Sequence, residues 1–134
     1  MILVDTNVWS ETSRPSGNPK VLRWLESNRE LLWLSTIVIA ESRAGIENPK
    51  GASKREGLSA WLAKLEAGNA EQILPFDQLA AYSLGKLLPA KPQENKMLDT
   101  LIAAQALSRD CPIATRNGKD FAWTGVELID PWEA

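Results

Sequence analysis

Four acidic side chains stand at positions where a carboxylate can do chemistry, namely Asp5, Glu41, Asp99 and Asp120. Asp5 directly follows Ile2-Leu3-Val4, an apolar run typical of a strand that is buried on both faces. Ligands of parallel α/β sheets bind beyond the carboxyl ends of such strands. Asp120 ends a polar loop that follows another apolar run. By position alone, Asp5 is equally well explained as a turn aspartate bonded to its own backbone, and Asp120 as an ordinary loop acid.

The other two acids share a face with apolar residues of predicted helices. Around Glu41, helical spacing gives an otherwise apolar face of Ile37, Ala40, Ala44 and Gly45. Arg43 lies on a different face of that helix, which weakens a local ion pair as the explanation. Asp99 shares a face with Ile102, Ala103 and Ala106, although capping of the helix N-terminus is a competing role. A carboxylate on a core face needs a cation, a metal or a place at the rim.

The chain of 134 residues contains no histidine and a single cysteine, Cys111. This composition excludes Ser-His-Asp and Cys-His catalysis, an intramolecular disulfide and the usual zinc ligands. Cys111 itself is predicted to be a small buried residue. Hard divalent cations prefer oxygen ligands, and an ion would reverse the repulsion among clustered acids. Any hydrolytic chemistry is therefore predicted to use carboxylates with Mg²⁺ or Mn²⁺.

Polar and basic residues adjoin the acids. The polar ones could position a water or a metal-bound ligand, with turn chemistry as the alternative role: Thr6, Asn7, Thr115 and Asn117. Arg116 and Lys119 could contact phosphate. The formal charge of −2 argues against a broad basic surface, so phosphate affinity would need a bound cation or a local basic strip.

Six tryptophans are many for this length. Trp24 and Trp61 lie in amphipathic helical stripes and are predicted to belong to the core, and Trp33 lies in a predicted strand. The remaining three, Trp9, Trp123 and Trp132, are open to base stacking or a subunit interface. A basic patch is interpreted as solvated surface and comprises Lys50, Lys54 and Arg55.

Short apolar runs alternate with helical patterns along the whole chain. The runs predict strands at 2–4, 31–34, 72–76, 112–115 and 126–129, and Pro75 indicates an edge strand. Helices are predicted from caps at Asn18, Ser35 and Asp77, from a Ser53–Glu56 capping box, and over 97–108, with a loop at 89–93. The alternation predicts one α/β domain over residues 1–134, three-layered (α/β/α) with a mostly parallel, about five-stranded sheet. The lack of a long apolar run or signal peptide predicts a cytoplasmic protein with no membrane partner.

Five segments in order carry a resemblance to a known family: Met1–Val8, Ala40–Ile46, Leu98–Ala104, Thr115–Phe121 and Asp130-Pro131-Trp132. The sequence resembles the PIN-domain family over nearly its whole length and, within that family, the VapC or FitB-type toxins of bacterial toxin–antitoxin pairs. The last segment has Asp130 where the family has Asn, a change that we interpret as structural. Four motifs with compatible spacing and a matching ending make this resemblance specific.

The resemblance implies a PIN fold and a metal-dependent endoribonuclease that hydrolyses RNA phosphodiester bonds. It implies that the four acids bind Mg²⁺ or Mn²⁺, with Thr6 or Thr115 assisting through their hydroxyls. It further implies an RNA substrate, a homodimer, and a cognate antitoxin whose tail blocks the active groove. DNA would be contacted only indirectly, through the antitoxin.

Two other interpretations remain. One is a degenerate PIN-like module that binds RNA or protein without cutting, against which the presence of all four acids speaks. The other is a phosphatase in which Asp5 is a phosphorylated nucleophile. Such enzymes resemble Asp-x-Asp at this position, whereas the chain has Asp5-Thr6-Asn7.

Overall fold

The computed structural model describes residues 1–134 and contains one sheet of five parallel strands. Their order in space is β3-β2-β1-β4-β5, so the first strand is the central one. Leu3 of β1 pairs with Trp33 of β2 on one side and with Ile113 of β4 on the other. The strands are β1 (Ile2–Val4), β2 (Leu32–Ser35), β3 (Ile73–Leu74), β4 (Ile113–Ala114) and β5 (Leu128–Ile129). The predicted α/β class is confirmed, and β3, which Pro75 follows, is an edge strand as expected.

Seven α-helices connect and cover the strands. They are α1 (Thr6–Trp9), α2 (Pro19–Ser27), α3 (Thr36–Glu47), α4 (Arg55–Gly68), α5 (Gln78–Leu87), α6 (Met97–Ser108) and α7 (Gly118–Phe121). Three predicted caps are confirmed, because the side chains of Asn18, Ser35 and Asp77 accept hydrogen bonds from the first-turn N–H groups of α2, α3 and α5. The one-turn helix α1 was not predicted, because four residues are too few to show periodicity.

The predicted capping box at Ser53 and Glu56 is wrong. A 3-10 segment occupies Pro49–Lys54, and its cap is Asn48, whose side chain accepts from Lys50 N at 3.0 Å. Ser53 therefore already lies inside a helical turn, and α4 begins without a side-chain cap. The predicted loop at 89–93 likewise starts as a 3-10 turn, over Leu88–Ala90.

A buried glutamine ties the sheet to the helix behind it. Gln105 of α6 is fully buried, accepts a hydrogen bond from the Ser35 hydroxyl, and donates to the Leu74 carbonyl oxygen at 3.1 Å. These contacts join α6 to β2 and β3 near the carboxyl ends of both strands. Cys111 is buried, as expected. None of the helices is long and apolar enough to cross a membrane.

Candidate active site at the carboxyl edge of the sheet

Asp5 lies at the end of the central strand and is only 5% exposed. It caps α1, since its Oδ1 accepts from Thr6 N at 2.8 Å. Its Oδ2 accepts from Thr115 Oγ1 at 2.9 Å and from Asn7 Nδ2 at 3.1 Å. The turn role considered from the sequence is therefore real, and it holds the carboxylate at the sheet edge where ligands bind.

Asn7 and Thr115 link the first strand to the loop after β4. Asn7 Nδ2 also donates to Thr115 Oγ1 at 3.2 Å, and Asn7 Oδ1 accepts from Arg116 N at 3.1 Å. Thr115 Oγ1 in turn accepts from Asn117 N at 3.0 Å. The side chain of Asn117 is exposed, so its contribution to this network is its backbone N–H. Of the polar residues predicted to support the site, Asn7 and Thr115 lie at the centre of this network through their side chains, whereas Asn117 contributes only its backbone N–H.

Glu41 lies at the site, but it does not lie on the buried face of α3 as predicted. The proposed apolar face is wrong as a core face, because Ala40, Ala44 and Gly45 are exposed. The buried face of α3 contains Val38 and Ile46, whose larger side chains gain more from burial than alanine or glycine does. Glu41 is half-buried at the rim, where it accepts a hydrogen bond from the Thr6 hydroxyl.

Asp99 occupies the third position of α6, so the competing role as N-cap is wrong; Lys96 precedes the helix instead. The predicted face is correct, since Ile102, Ala103 and Ala106 are fully buried. Asp99 is half-buried at the site end of this face. Its carboxylate is also favoured by the positive end of the helix dipole.

Asp120 lies in α7 and forms an ion pair with Lys96, with Nζ and Oδ1 3.3 Å apart. This pair joins the residue that precedes α6 to helix α7. The sequence did not identify Lys96, because 24 positions separate it from Asp120. It is the only cation within ion-pair range of any of the four acids.

The pKa values show that the four acids form one electrostatic cluster. Burial raises the pKa of Asp5 to about 6; hydrogen bonds from Thr115 and Thr6 oppose this, and the charges of Asp99 and Glu41 add to it. Burial also raises the pKa of Asp99, with further contributions from Glu41 and Asp120 and opposition from Lys96. Negative charge is therefore concentrated here without matching positive charge.

The four acids offer only carboxylate oxygens, which are the ligands that hard divalent cations prefer. Three of these acids also lack an ion-pair partner, so their charges are available to a cation. In the present side-chain arrangement, no three acids are close enough to hold one ion jointly. Glu41 is bonded to Thr6, and Asp120 to Lys96. An ion would draw these carboxylates together and offset their repulsion.

The predicted phosphate contacts lie at the mouth of the site. Arg116 and Lys119 are exposed, and the Arg116 guanidinium carbon lies 5.0 Å from the centre of the Trp132 ring. Trp132 thus positions Arg116. Trp9, in contrast, is buried in the core and not available for base stacking.

A further acid escaped sequence reasoning. Glu11 is buried, accepts from Asn18 N at 3.0 Å and pairs with Arg14 at 2.8 Å. Its partners are all local, and it fixes the loop that leads into α2. Its role is therefore structural, and no periodic pattern in the sequence marked it.

A parallel α/β domain with an acid cluster at the carboxyl ends of its central strands defines a class that includes metal-dependent nucleases. The chain belongs to the PIN domain family, whose model matches residues 2–126. The VapC ribonuclease Y4jK of Sinorhizobium fredii is 33% identical over 138 residues, covering 99% of each chain. Toxin FitB of Neisseria gonorrhoeae is 35% identical over 140 residues, covering 98% of this chain and 99% of that one. The crystal structure of FitAcB from Neisseria gonorrhoeae matches with a TM-score of 0.82 and 34% identity over the full length of both chains.

Proposed function

We propose that this protein is a metal-dependent endoribonuclease that hydrolyses RNA phosphodiester bonds through Asp5, Glu41, Asp99 and Asp120. The observation that carries the proposal is that these four carboxylates lie at one edge of the sheet, where burial and the charges of neighbouring acids raise the pKa of Asp5 and Asp99. Neighbouring acids that repel one another lower the stability of the folded protein, and a bound cation offsets that loss. Membership of the PIN family and similarity to a VapC ribonuclease support RNA as the substrate.

The four acids would hold Mg²⁺ or Mn²⁺, which supplies activation of water and charge neutralisation at the phosphate when bound. Asp5 is held rigidly by three hydrogen-bond donors and would serve as the fixed ligand. Glu41 and Asp120 each have a partner that can be exchanged and would adjust to the substrate. Arg116 and Lys119, exposed at the mouth, would contact the RNA backbone.

We also infer that the protein is the toxin of a toxin–antitoxin pair, that residues 1–134 form one PIN domain, and that it acts as a homodimer in the cytoplasm. The similarity to Toxin FitB over nearly the whole of both chains supports the toxin role. A cognate antitoxin would block the acidic edge, and contact with DNA would be made only through that partner.

The test is cleavage of total RNA by purified protein with Mg²⁺ or Mn²⁺, with the cleavage ends mapped. Asp5→Asn should abolish cleavage because it removes one negative charge at the most buried acid. Asp110→Asn is the matched control, because Asp110 is exposed and lies at the amino end of β4, away from the acid cluster at the carboxyl end. Its backbone φ of 51° is also tolerated by asparagine. Full activity of pure Asp5→Asn, or loss of activity in both variants, would contradict the proposal.

The alternative of a binding module that does not cut makes a different prediction. Such a module would bind RNA or protein equally well as wild type and as Asp5→Asn, and would show no stoichiometric Mn²⁺ binding dependent on Asp5 and Asp99. Calorimetry with Mn²⁺ separates the two. The phosphatase alternative would require a covalent aspartyl-phosphate at Asp5, whose Oδ2 already accepts two hydrogen bonds.

A further inference from the structure

A cleft of about 360 Å³ is lined by Asp120 but by none of the other three acids of the cluster. It forms where the segment after α5 approaches α7 and the 3-10 turn that follows it. Three lysines, one acid and one tryptophan contribute to its lining: Lys91, Lys96, Lys119, Asp120 and Trp123. The cleft therefore combines positive charge with an aromatic surface, directly next to a predicted catalytic acid.

The charge of this cleft is strongly positive for a chain whose formal charge is −2. Lys96 is paired with Asp120, but Lys91 and Lys119 are exposed and have no acid within ion-pair range. Lys91 has a left-handed backbone conformation, with φ of 54°, at the end of the preceding 3-10 turn. Two free ammonium groups that line one cleft, one from each of the segments that form it, are suited to phosphates of a bound strand.

Trp123 is 43% exposed, although tryptophan is usually mostly buried. Its backbone is well anchored: Phe121, two residues earlier, is buried in the core, and the Thr124 hydroxyl donates to the Phe121 carbonyl at 2.6 Å. Gly125, with φ of 80°, ends the turn in a conformation that glycine adopts readily. A rigid backbone thus presents an indole ring to solvent beside two cations.

We propose that this cleft is a nucleotide-binding subsite for single-stranded RNA, in which Trp123 stacks on an unpaired base while Lys91 and Lys119 contact the flanking phosphates. This proposal rests on the proposed function for its substrate. Stacking on an aromatic side chain requires a base that is free of its partner strand. The subsite would therefore select single-stranded RNA or RNA loops and place the bound RNA strand next to Asp120.

The test is the dissociation constant of a short fluorescent single-stranded RNA, measured by anisotropy in EDTA, together with KM for the same RNA in Mn²⁺. Trp123→Ala should raise both by about 5- to 150-fold, which corresponds to the roughly 1–3 kcal/mol lost with one stacked base. Trp123→Phe should recover most of the affinity. The matched control is Tyr82→Ala, which removes an exposed aromatic ring on α5.

The lysines are tested by salt dependence. Lys91→Ala and Lys119→Ala should each reduce the slope of log Kd against log salt by about 0.7, whereas Lys20→Ala on α2 should leave it unchanged. Loss of binding in the lysine variants without any effect of Trp123→Ala would indicate a site for anions in general, such as an acidic peptide, and would overturn the subsite.

The two proposals can fail separately. If wild type cleaves RNA but neither Kd nor KM responds to Trp123→Ala, the subsite is wrong and the nuclease function stands. If the purified protein cleaves no RNA but binds it in a manner that depends on Trp123 and both lysines, the subsite stands and the nuclease function is wrong.

Discussion

Thr115 donates its hydroxyl to Asp5 Oδ2 at 2.9 Å, joining two residues that are 110 positions apart in the chain. Asp5 directly follows β1 and Thr115 directly follows β4, and these two strands are parallel neighbours in the sheet. Parallel pairing brings the carboxyl ends of both strands to the same edge, so the contact follows from the register of the sheet. The hydrogen bond also lowers the pKa of Asp5, against the effect of burial.

Thr115→Val should change both stability and pH response. It removes a hydroxyl that serves Asp5, Asn7 and Asn117, so we expect a loss of about 1–3 kcal/mol in the free energy of unfolding. It should also raise the pKa of Asp5 above about 6 and move the acid limb of the cleavage rate to higher pH. Denaturant titrations and pH–rate profiles measure the two effects. Thr115→Ser, which keeps the hydroxyl, should leave the pH profile unshifted and lose only the stability contributed by one buried methyl group. An unshifted profile in Thr115→Val would contradict the role assigned to this bond.

The raised pKa of Asp5 predicts how the metal-free protein responds to pH. Between pH 3.8 and about 6 the folded state binds more protons at Asp5 than the unfolded state, so this acid lowers stability progressively as pH rises through that range. Raising the pKa from 3.8 to about 6 corresponds to about 3 kcal/mol. Asp5→Asn removes this dependence. The stability of Asp5→Asn relative to wild type should therefore increase from pH 4 to pH 7 in EDTA, by up to about 3 kcal/mol. A constant difference across that range would show that Asp5 ionises normally.

A bound divalent ion should turn the acid cluster from a destabilising feature into a stabilising one. At an ion concentration about 100 times the dissociation constant, binding stabilises the folded state by about 2.7 kcal/mol. We expect Mn²⁺ to raise the Tm of wild type and of Asp110→Asn, but not that of Asp99→Asn, because Asp99 is one of the repelling acids. Thermal scans with and without Mn²⁺ measure this, and an equal Tm increase in Asp99→Asn would exclude it as a ligand.

Trp132 should affect RNA binding through Arg116 alone. Trp132→Leu keeps an apolar side chain but removes the ring over which the guanidinium lies, an interaction of about 0.5–1 kcal/mol at exposed sites. A freely rotating Arg116 costs more entropy to fix on phosphate, so KM for RNA should rise while kcat stays unchanged. Steady-state kinetics provide the measurement, and the double variant with Arg116→Ala should be no worse than Arg116→Ala by itself. An additive loss would mean that Trp132 contacts RNA independently.

Gln105 is expected to be more important for stability than its polar character suggests. Gln105→Leu would leave the buried Ser35 hydroxyl without its acceptor and the Leu74 carbonyl without its side-chain donor, at a cost of about 1–3 kcal/mol for each group. Gln78→Leu, at an exposed position of α5, should be nearly neutral. Urea denaturation compares the two, and equal stabilities would contradict the structural role of Gln105.

Local signals predicted most of the fold. Strands and caps such as Ser35 depend on neighbouring residues, and α6 has the predicted bounds because its pattern extends over three turns. The face of α3 was misjudged because alanine and glycine pack equally well inside or outside, so their spacing carries little information. The contacts of Lys96 with Asp120 and of Gln105 with Ser35 depend on tertiary packing that spacing does not encode. The four acids that the sequence singled out lie at one edge of the sheet, but the periodicity argument for Glu41 rested on a helix face that is not buried.

The placement of the first strand in the middle of the sheet has a consequence during synthesis. When the ribosome has made β1, the strand that will flank it as β4 is still more than 100 residues from emerging. A nascent chain therefore holds Asp5 without Thr115, Asp99 or Asp120, and no truncated product that ends before α7 contains the complete cluster. The complete cluster can therefore form only after α7 has been synthesised, and no shorter product of translation carries all four acids.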